Sequence, residues 1–405
     1  MPKTPSTSLL RHILWVGPVI DQSRFSNPAV SAAASIWQQG LIGALVNSDS
    51  GVQIEVVSHL PSRAFPKGTL WPDSDVSIFP KWINGFGLQY LNVPLLRKWI
   101  LQWQYTRNLG KILAIPSPHT YDLIVVYNAE IYVTRPVARA AKKMNIPWVA
   151  IIADLPQHLP GPYLDHACID QSDGCIYLSW KNFRDYGRAN KDLLLEGGIL
   201  YNKPTEGSIS LIDALNASSM STLKRIAYFG GITSLGGIDL FLEATQLLDG
   251  QQYEFHIIGS GDLARLRPFL ERDSRIVYHG PVPQEELLKI GKTIDIFVDP
   301  RPKELSENNF PSKILTYLSF GKPVISTLGM GVPPEYGEVL IALNDEHPLS
   351  LAELIKGIAC WDEERIYDYQ LRVEEFIDNK KSWNTQGMRA LSWLNTLLNR
   401  KQSLI

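Results

Sequence analysis

Short runs that are apolar at almost every position alternate along this chain with segments whose apolar residues recur at helical spacing. HILWVGP (12–18), VQIEVVS, YDLIVVYNAE and IPWVAIIADLP form a first series of such runs. NPAVSAAASIWQQGLIGALV (27–46) and PVARAAKKMN supply helical patterns within it. A strand that is apolar on successive residues is buried on both faces, and strands alternating with helices build a parallel sheet covered on each side. After the polar stretch LYNKPTEGSISLIDALNASSMST (200–222) a second series begins. Its strands are RIAYFGG, YEFHIIGSGD, RIVYHGPV, IDIFVDPRP and PVIST, with IDLFLEATQLL, LARLRPFLER and EELLKIGKT as helices. The block from Leu351 to Leu398 reads as helix throughout. The expected architecture is α/β, with two doubly wound parallel-sheet domains facing a central cleft and ligands beyond the carboxyl ends of the strands.

The length of 405 residues also asks for more than one hydrophobic core. A formal net charge of −2 gives no general attraction for nucleic acid, but the halves differ. Residues 1–200 hold 18 Lys/Arg against 14 Asp/Glu, and residues 201–405 hold 21 against 27. Cys168, Cys175 and Cys360 lack paired zinc spacing, and an odd count without a secretion signal fits a reducing compartment. No apolar run approaches the ~20 residues that span a bilayer. The opening MPKTPSTSLLRHILWVGPVI has too short an apolar block for a signal peptide. A cytoplasmic protein is expected.

The segment NNFPSKILTYLSFGKPVIST, Asn308 to Thr327, places Lys313 in the first turn of a short apolar helix, where the helix dipole disfavours a cation. Pro311 suits the first helical position, Asn308 or Asn309 can cap the free amides, and Gly321 can close the helix in a left-handed conformation. The helix start follows the strand IDIFVDP through the loop KELSENN, at the strand's carboxyl end. An anionic ligand shared by Lys313 and the amides would turn the penalty into an attraction. The alternative is a lysine that snorkels to solvent.

VDPRPKELSENNFPSKILTYLSFGKPVIST resembles the donor-site segment of GT-B glycosyltransferases, particularly the retaining family 4 enzymes of bacterial surface-polysaccharide synthesis. The match is dense over these residues and looser elsewhere, with YFGGITSLGGIDLFLEA, IIGSGD, YHGPVP, LLLEGGI and KSWNTQGMRALSWL resembling other family segments. The resemblance implies an N-terminal acceptor-binding Rossmann-like domain over 1–200 and a linker over 201–222. A nucleotide-sugar-binding domain would then cover 223–378, with a helix over 379–405 crossing back onto the first domain. It further implies a nucleotide-sugar donor, a glycan or lipid-linked acceptor, retention of configuration and no metal. Lys313 and Arg301 would hold the diphosphate, with Gly230, Gly231, Gly236 and Gly237 as a backbone cradle. Glu304, Glu307 and Asn308 would meet the sugar, and Asn309, Phe310, Pro311, Ser312 and Thr316 would belong to the same donor site. Gly259, Gly261, Gly280 and Val282 would line the base and ribose side. Departures from the pattern are plain: Gly231 and Gly236 stand where the family commonly has Arg and Lys, Thr316 replaces a glutamate, and a His-Asp pair appears as Ala153 and Asp154.

Asp154 ends a nearly continuous apolar strand, and either orients or deprotonates an acceptor hydroxyl or caps the turn before Leu155-Pro156. His158 could share that role, although a lone histidine is more often an ordinary surface residue. Gly17 either admits close backbone approach at the donor site or makes a plain turn. Asp73 and Asp75 form an isolated Asp-x-Asp in a polar loop, and a manganese site is not expected there. GGITSLGG and GSGD do not give the Gly-x-Gly-x-x-Gly of dinucleotide dehydrogenases. In KWINGFGLQYLNVPLLRKWILQWQYTRNLGKIL (81–113), Trp82, Phe86, Tyr90, Trp99 and Trp103 interleave with Lys81, Arg97, Lys98, Arg107 and Lys111. This composition suits an anionic membrane surface, and equally an internal helix face with lysines opposite. The rival to a transferase is a catalytically degenerate GT-B protein that binds a glycan or a partner. A sugar-nucleotide epimerase on the same fold would turn over without acceptor.

Overall fold

The continuous apolar runs become parallel strands whose successive side chains enter two different cores. The computed structural model describes residues 10–48, 51–114, 120–128, 130–153, 169–200 and 223–402. Two units divide the chain: Met1–Gly198 with Trp383–Ile405, and Ile199–Ser382. The first holds β1 (His12–Val16), β2 (Gln53–Ser58), β3 (Asn84–Gly87), β4 (Leu123–Tyr127), β5 (Trp148–Ile152), β6 (Gly174–Tyr177) and β7 (Leu193–Leu194). They pair in the order β3-β2-β1-β4-β5-β6-β7, all parallel. Ile13 and Trp15 join Val56, Val125 and Val149 in one core, while Leu14 and Val16 join Val57, Ile124 and Val126 in the other. That period of two, with both faces buried, is why the runs are apolar throughout. Two helices, α1 (Ala32–Val46) and the final helix Trp383–Gln402, cover the first core through Trp37, Leu41, Ala390 and Leu394. Two others, α2 (Arg97–Ala114) and α3 (Ile131–Met144), cover the second through Leu101, Leu109, Val133 and Val137.

The second unit repeats the plan with β8 (Lys224–Phe229), β9 (Tyr253–Ile258), β10 (Ile276–Gly280), β11 (Ile296–Asp299), β12 (Val324–Ser326) and β13 (Ile341–Ala342). The order is β10-β9-β8-β11-β12-β13, again all parallel. Helices Ile238–Thr245 and Pro348–Ala359 bury Phe241, Leu242, Leu351 and Ile355 on one face. Helices Lys313–Leu318 and Glu363–Phe376 bury Ile314, Leu318, Val373 and Phe376 on the other. Strand order therefore reverses once in each sheet, between β1 and β4 and between β8 and β11. Strands β3, β6, β7 and β13 are absent from the sequence reading. At two to four residues each, they carry too few positions for a period to register.

The division of the chain falls at Gly198/Ile199 and Ser382/Trp383. The expected linker, 201–222, lies outside the described residues. The C-terminal block is helical with breaks, including a π-helical turn at Ile377–Lys381. Trp383 anchors the final helix to α1. Its indole lies edge-on to Trp37 at 6.1 Å and fills the space that a Cβ on Gly40 would enter, 2.2 Å from the ring. Gly198 meets the same ring from elsewhere in the unit, with a notional Cβ at 2.6 Å. Gly40→Ala is expected to overpack this contact and destabilise the protein by ~1–3 kcal/mol. A lowered urea midpoint checks this, and relief of the loss by adding Trp383→Leu identifies the indole as the obstacle.

Candidate functional site

Strand β11 ends in Asp299, a fully buried carboxylate. Lys313 brings its Nζ to 2.8 Å from Asp299 Oδ1, and Arg301 Nε lies 3.8 Å from the same oxygen. The ammonium also sits 4.4 Å above the Tyr228 ring. One turn further along the helix, on the same face, Tyr317 sets this position. Its ring stacks on Phe297 at 4.8 Å. Its hydroxyl accepts from Phe229 N at 2.8 Å and donates to Phe229 O at 2.9 Å. Clamped to the last residue of β8, the helix places Lys313 beside Gly230, where a Cβ would lie 3.0 Å from Nζ. Burial lowers the lysine's pKa and Arg301 acts in the same direction, while Asp299 opposes both. Two basic side chains thus face one carboxylate at the carboxyl end of β11.

The sequence reading gave Lys313 an anionic ligand to offset the helix start. In the structure its counter-charge is Asp299, fourteen positions upstream across the loop after β11. The helix Lys313–Leu318 has six residues and its cap position is Ser312, whose side chain makes no capping bond, so the cap position is neither Asn308 nor Asn309. Pro311 lies ahead of the helix and its carbonyl accepts from Ile314 N at 2.9 Å. Gly321 does close the segment, at φ +65.

Most of the candidate cradle glycines answer to packing. Gly237 has φ +78, and a Cβ there would stand 2.0 Å from Pro300 O. On Gly259 it would stand 1.9 Å from Gly230 O, on Gly261 2.5 Å from Ile232 O, and on Gly236 2.2 Å from the Tyr228 hydroxyl. The glycines let the loops after β8, β9 and β11 touch backbone to backbone. Gly231 differs, with nothing nearer than 3.9 Å, and Gly280 has similar room. The open backbone beside Lys313 is thus narrowed to Gly230 and Gly231.

The other site candidates spread around this strand-end loop. Glu304 is exposed on the short helix Lys303–Ser306 and Glu307 follows it. Among the described residues neither carboxylate pairs with Lys313 or Arg301. Asn308 is half-buried, Asn309 and Ser312 are exposed, Pro311 is buried, and Thr316 lies half-buried on the helix. The Phe310 ring packs 5.3 Å from Tyr336, and Val282 packs against the core beneath. Ala153 is buried after β5. Asp154, His158 and Cys168 lie outside the described residues. Asp73 pairs with Arg24 at 2.9 Å, and Asp75 caps the turn Val76–Ile78 through Ser77 N at 3.0 Å. Both carboxylates of the Asp-x-Asp therefore have local structural work.

Gly17 belongs to the first unit, where its missing side chain is explained by Gln38 Oε1 and Tyr127 Cβ, 2.5 and 2.7 Å from a notional Cβ. It lines a cavity of about 230 Å³ that sequence reasoning missed, with His59, Tyr105, Asn128, Glu130 and Tyr132. His59 follows β2, Tyr105 lies on α2, Asn128 and Glu130 follow β4, and Tyr132 lies on α3. His59 Nδ1 is 2.9 Å from the Tyr105 hydroxyl, and burial, helped by Arg97, pulls the ring down to about 4. Burial pushes the Glu130 carboxyl up against the opposing pull of Tyr132, Lys98 and Arg97. The signal in YDLIVVYNAE was the acidic residue just past a buried strand.

Asp299→Ala would leave two neighbouring cations without their buried partner. A loss of ~3–5 kcal/mol is expected. Urea unfolding measures it, and a midpoint equal to wild type would refute the role given to this carboxylate.

Residues 223–359 match the family described as Glycosyl transferases group 1. No curated protein matches the chain. Among solved structures, HepE of Anabaena in complex with UDP is similar at TM-score 0.66 and 13% identity, over 96% of this chain and all of the other. Sucrose-phosphate synthase from Thermosynechococcus elongatus is similar at TM-score 0.63 and 15% identity, over 96% and 100%. UDP-GlcNAc 2-epimerase from Neisseria meningitidis, bound to UDP-GlcNAc, follows at 0.56 and 14%, over 96% and 100%. The chain has the GT-B fold of two parallel-sheet α/β units, and the match to the group 1 glycosyl transferases lies in its second unit.

Proposed function

We propose that this protein transfers a hexose-type sugar from a nucleotide sugar to a glycan or lipid-linked acceptor, with retention of configuration and without a metal, in polysaccharide biosynthesis. The observation that carries the reading is the pair of basic side chains, Lys313 and Arg301, over Asp299, beside the open backbone at Gly231, inside the family-matched region. As the sugar–phosphate bond breaks, negative charge grows on the departing diphosphate, and fixed cations lower that barrier most. The leaving phosphate can take the acceptor's proton on the same face, so no enzyme nucleophile is assigned. Glu304, Glu307 and Asn308 would meet the sugar, and Asp154 would orient the acceptor hydroxyl. HepE is in complex with UDP and the epimerase is bound to UDP-GlcNAc, which makes UDP the first nucleotide to try. Lys313→Ala and Arg301→Ala should each weaken UDP binding at least tenfold, ~1.4 kcal/mol, in calorimetry. Affinity unchanged within twofold in both would remove the phosphate assignment. The degenerate-binder alternative draws support from Lys313 having its own carboxylate partner, and predicts no heat with any nucleotide sugar.

A cytoplasmic location at an anionic membrane surface is part of the same reading. Among the described residues no helix is long and apolar enough to cross a membrane. Segment 81–113 is β3 followed by α2. Tyr90 leaves the membrane-facing set, since it is buried with its hydroxyl donating to Leu60 O at 3.0 Å. Trp82, Phe86 and Trp103 are exposed, as is Trp99 at 76%, with Leu95 at 93% beside it. The α2 sequence carries Arg97, Lys98, Arg107 and Lys111 and no acidic residue. Apolar rings amid cations suit a shallow site on an anionic bilayer. Cosedimentation with phosphatidylglycerol vesicles should fall at least tenfold in Trp99→Glu/Trp103→Glu, and wild-type protein that pellets no more than with phosphatidylcholine would end this part of the reading.

A further inference from the structure

The strand ends of the second unit that lie away from Asp299 hold a smaller cavity, of about 30 Å³. Lys224 opens β8, Asp295 directly precedes β11 and Lys322 comes two residues before β12, and each of them lines this space. We propose that Lys322 is a carbamylation site: its amine adds to carbon dioxide in this cavity, and Lys224 holds the resulting carbamate. The assignment does not rest on the glycosyl-transfer reading.

Lys322 is 6% exposed, and among the described residues its side chain forms no hydrogen bond and no ion pair. The backbone fixes it there. Gly321 ahead of it has φ +65, and the carbonyl of Pro323 after it accepts from Phe297 N at 2.9 Å. The charges that act on Lys322, those of Asp295 and Lys224, line the same cavity, so the amine meets that space. Asp295 is held elsewhere, its Oδ2 accepting from Arg225 N at 2.8 Å. An ammonium buried without a hydrogen bond is costly, and the cost falls when the group gives up its proton. Burial accordingly lowers the pKa of Lys322, with Asp295 opposing and Lys224 assisting. A lysine amine desolvated in an apolar pocket beside another cation is a nucleophile.

Size and charge select the electrophile. Ile296, Pro323, Ile358 and Ile366 make the remaining walls apolar, which suits a molecule without net charge or dipole. The volume exceeds the ~10–15 Å³ that one water needs, but leaves no room for a sugar aldehyde or a cofactor ring. Lys224 favours a product that carries negative charge, which an imine would not. In the addition the nitrogen lone pair forms the N–C bond, one C=O π pair moves onto oxygen, and a proton leaves nitrogen for water. The charge at Lys322 turns from positive to negative without any oxidant, reductant or leaving group. Asp295 opposes the carbamate, so the adduct is reversible.

Trapping on the full chain tests this. The protein is equilibrated with isotope-labelled bicarbonate at about pH 8, where more of a depressed lysine is neutral, and ethylated with triethyloxonium. Peptide mass spectrometry should place a labelled ethyl carbamate on Lys322. The label should vanish in Lys322→Met, which keeps the apolar stem, and fall severalfold in Lys224→Met. Bicarbonate should also raise the melting temperature of the wild type above that in chloride of equal ionic strength, since an adduct confined to the folded state stabilises it. Absence of label from Lys322 overturns the proposal, as does label spread evenly over exposed lysines. Equal stabilisation by bicarbonate and chloride with nothing trapped would mean simple anion binding, and would overturn it too. If Lys322→Met does not fold, the labelled wild-type peptide and Lys224→Met decide the matter, and undiminished label in the latter removes the role of Lys224.

Discussion

Asp299 has no access to water, and a carboxylate so placed is tolerated only with cations against it. Lys313 and Arg301 meet that requirement from one helix start and one strand end. The demand ties together β11, the helix Lys313–Leu318 and the loop after β8, because the lysine reaches Asp299 over Tyr228 and beside Gly230. Tyr317 completes the arrangement by bonding both backbone groups of Phe229. A structural ion pair thus sets two basic side chains where the loops converge.

The two units arrive at their candidate sites by the same rule with different chemistry. Parallel strands covered on both faces leave only their ends for ligands, and the reversal of strand order opens the loops on either side. In the second unit that place holds glycine backbone and cations. In the first it holds aromatic rings, an uncharged histidine and one carboxylate.

The strands were legible because burial on both faces leaves almost no polar residue in them, as in LIVVY of β4 and WVAII of β5. The helix that carries Lys313 was legible from its apolar spacing and from Gly321. Its partner was not, since a sequence does not reveal that Asp299 faces inward. The candidate cradle glycines looked alike in one dimension. Only contacts with Pro300, Gly230 and Tyr228 separate those required by packing from Gly231. His59, Tyr105 and Glu130 escaped notice because β2, α2 and the loop after β4 contribute one each.

Periodicity along the chain determined the two parallel sheets, since side-chain direction alternates locally and burial acts residue by residue. Tertiary structure alone decided which charge answers Lys313, which glycines have space around them, and that a histidine, three tyrosines, an asparagine and a glutamate share one cavity. Those outcomes depend on distances between segments far apart in sequence, and such distances are set by how the strands order themselves in the sheet.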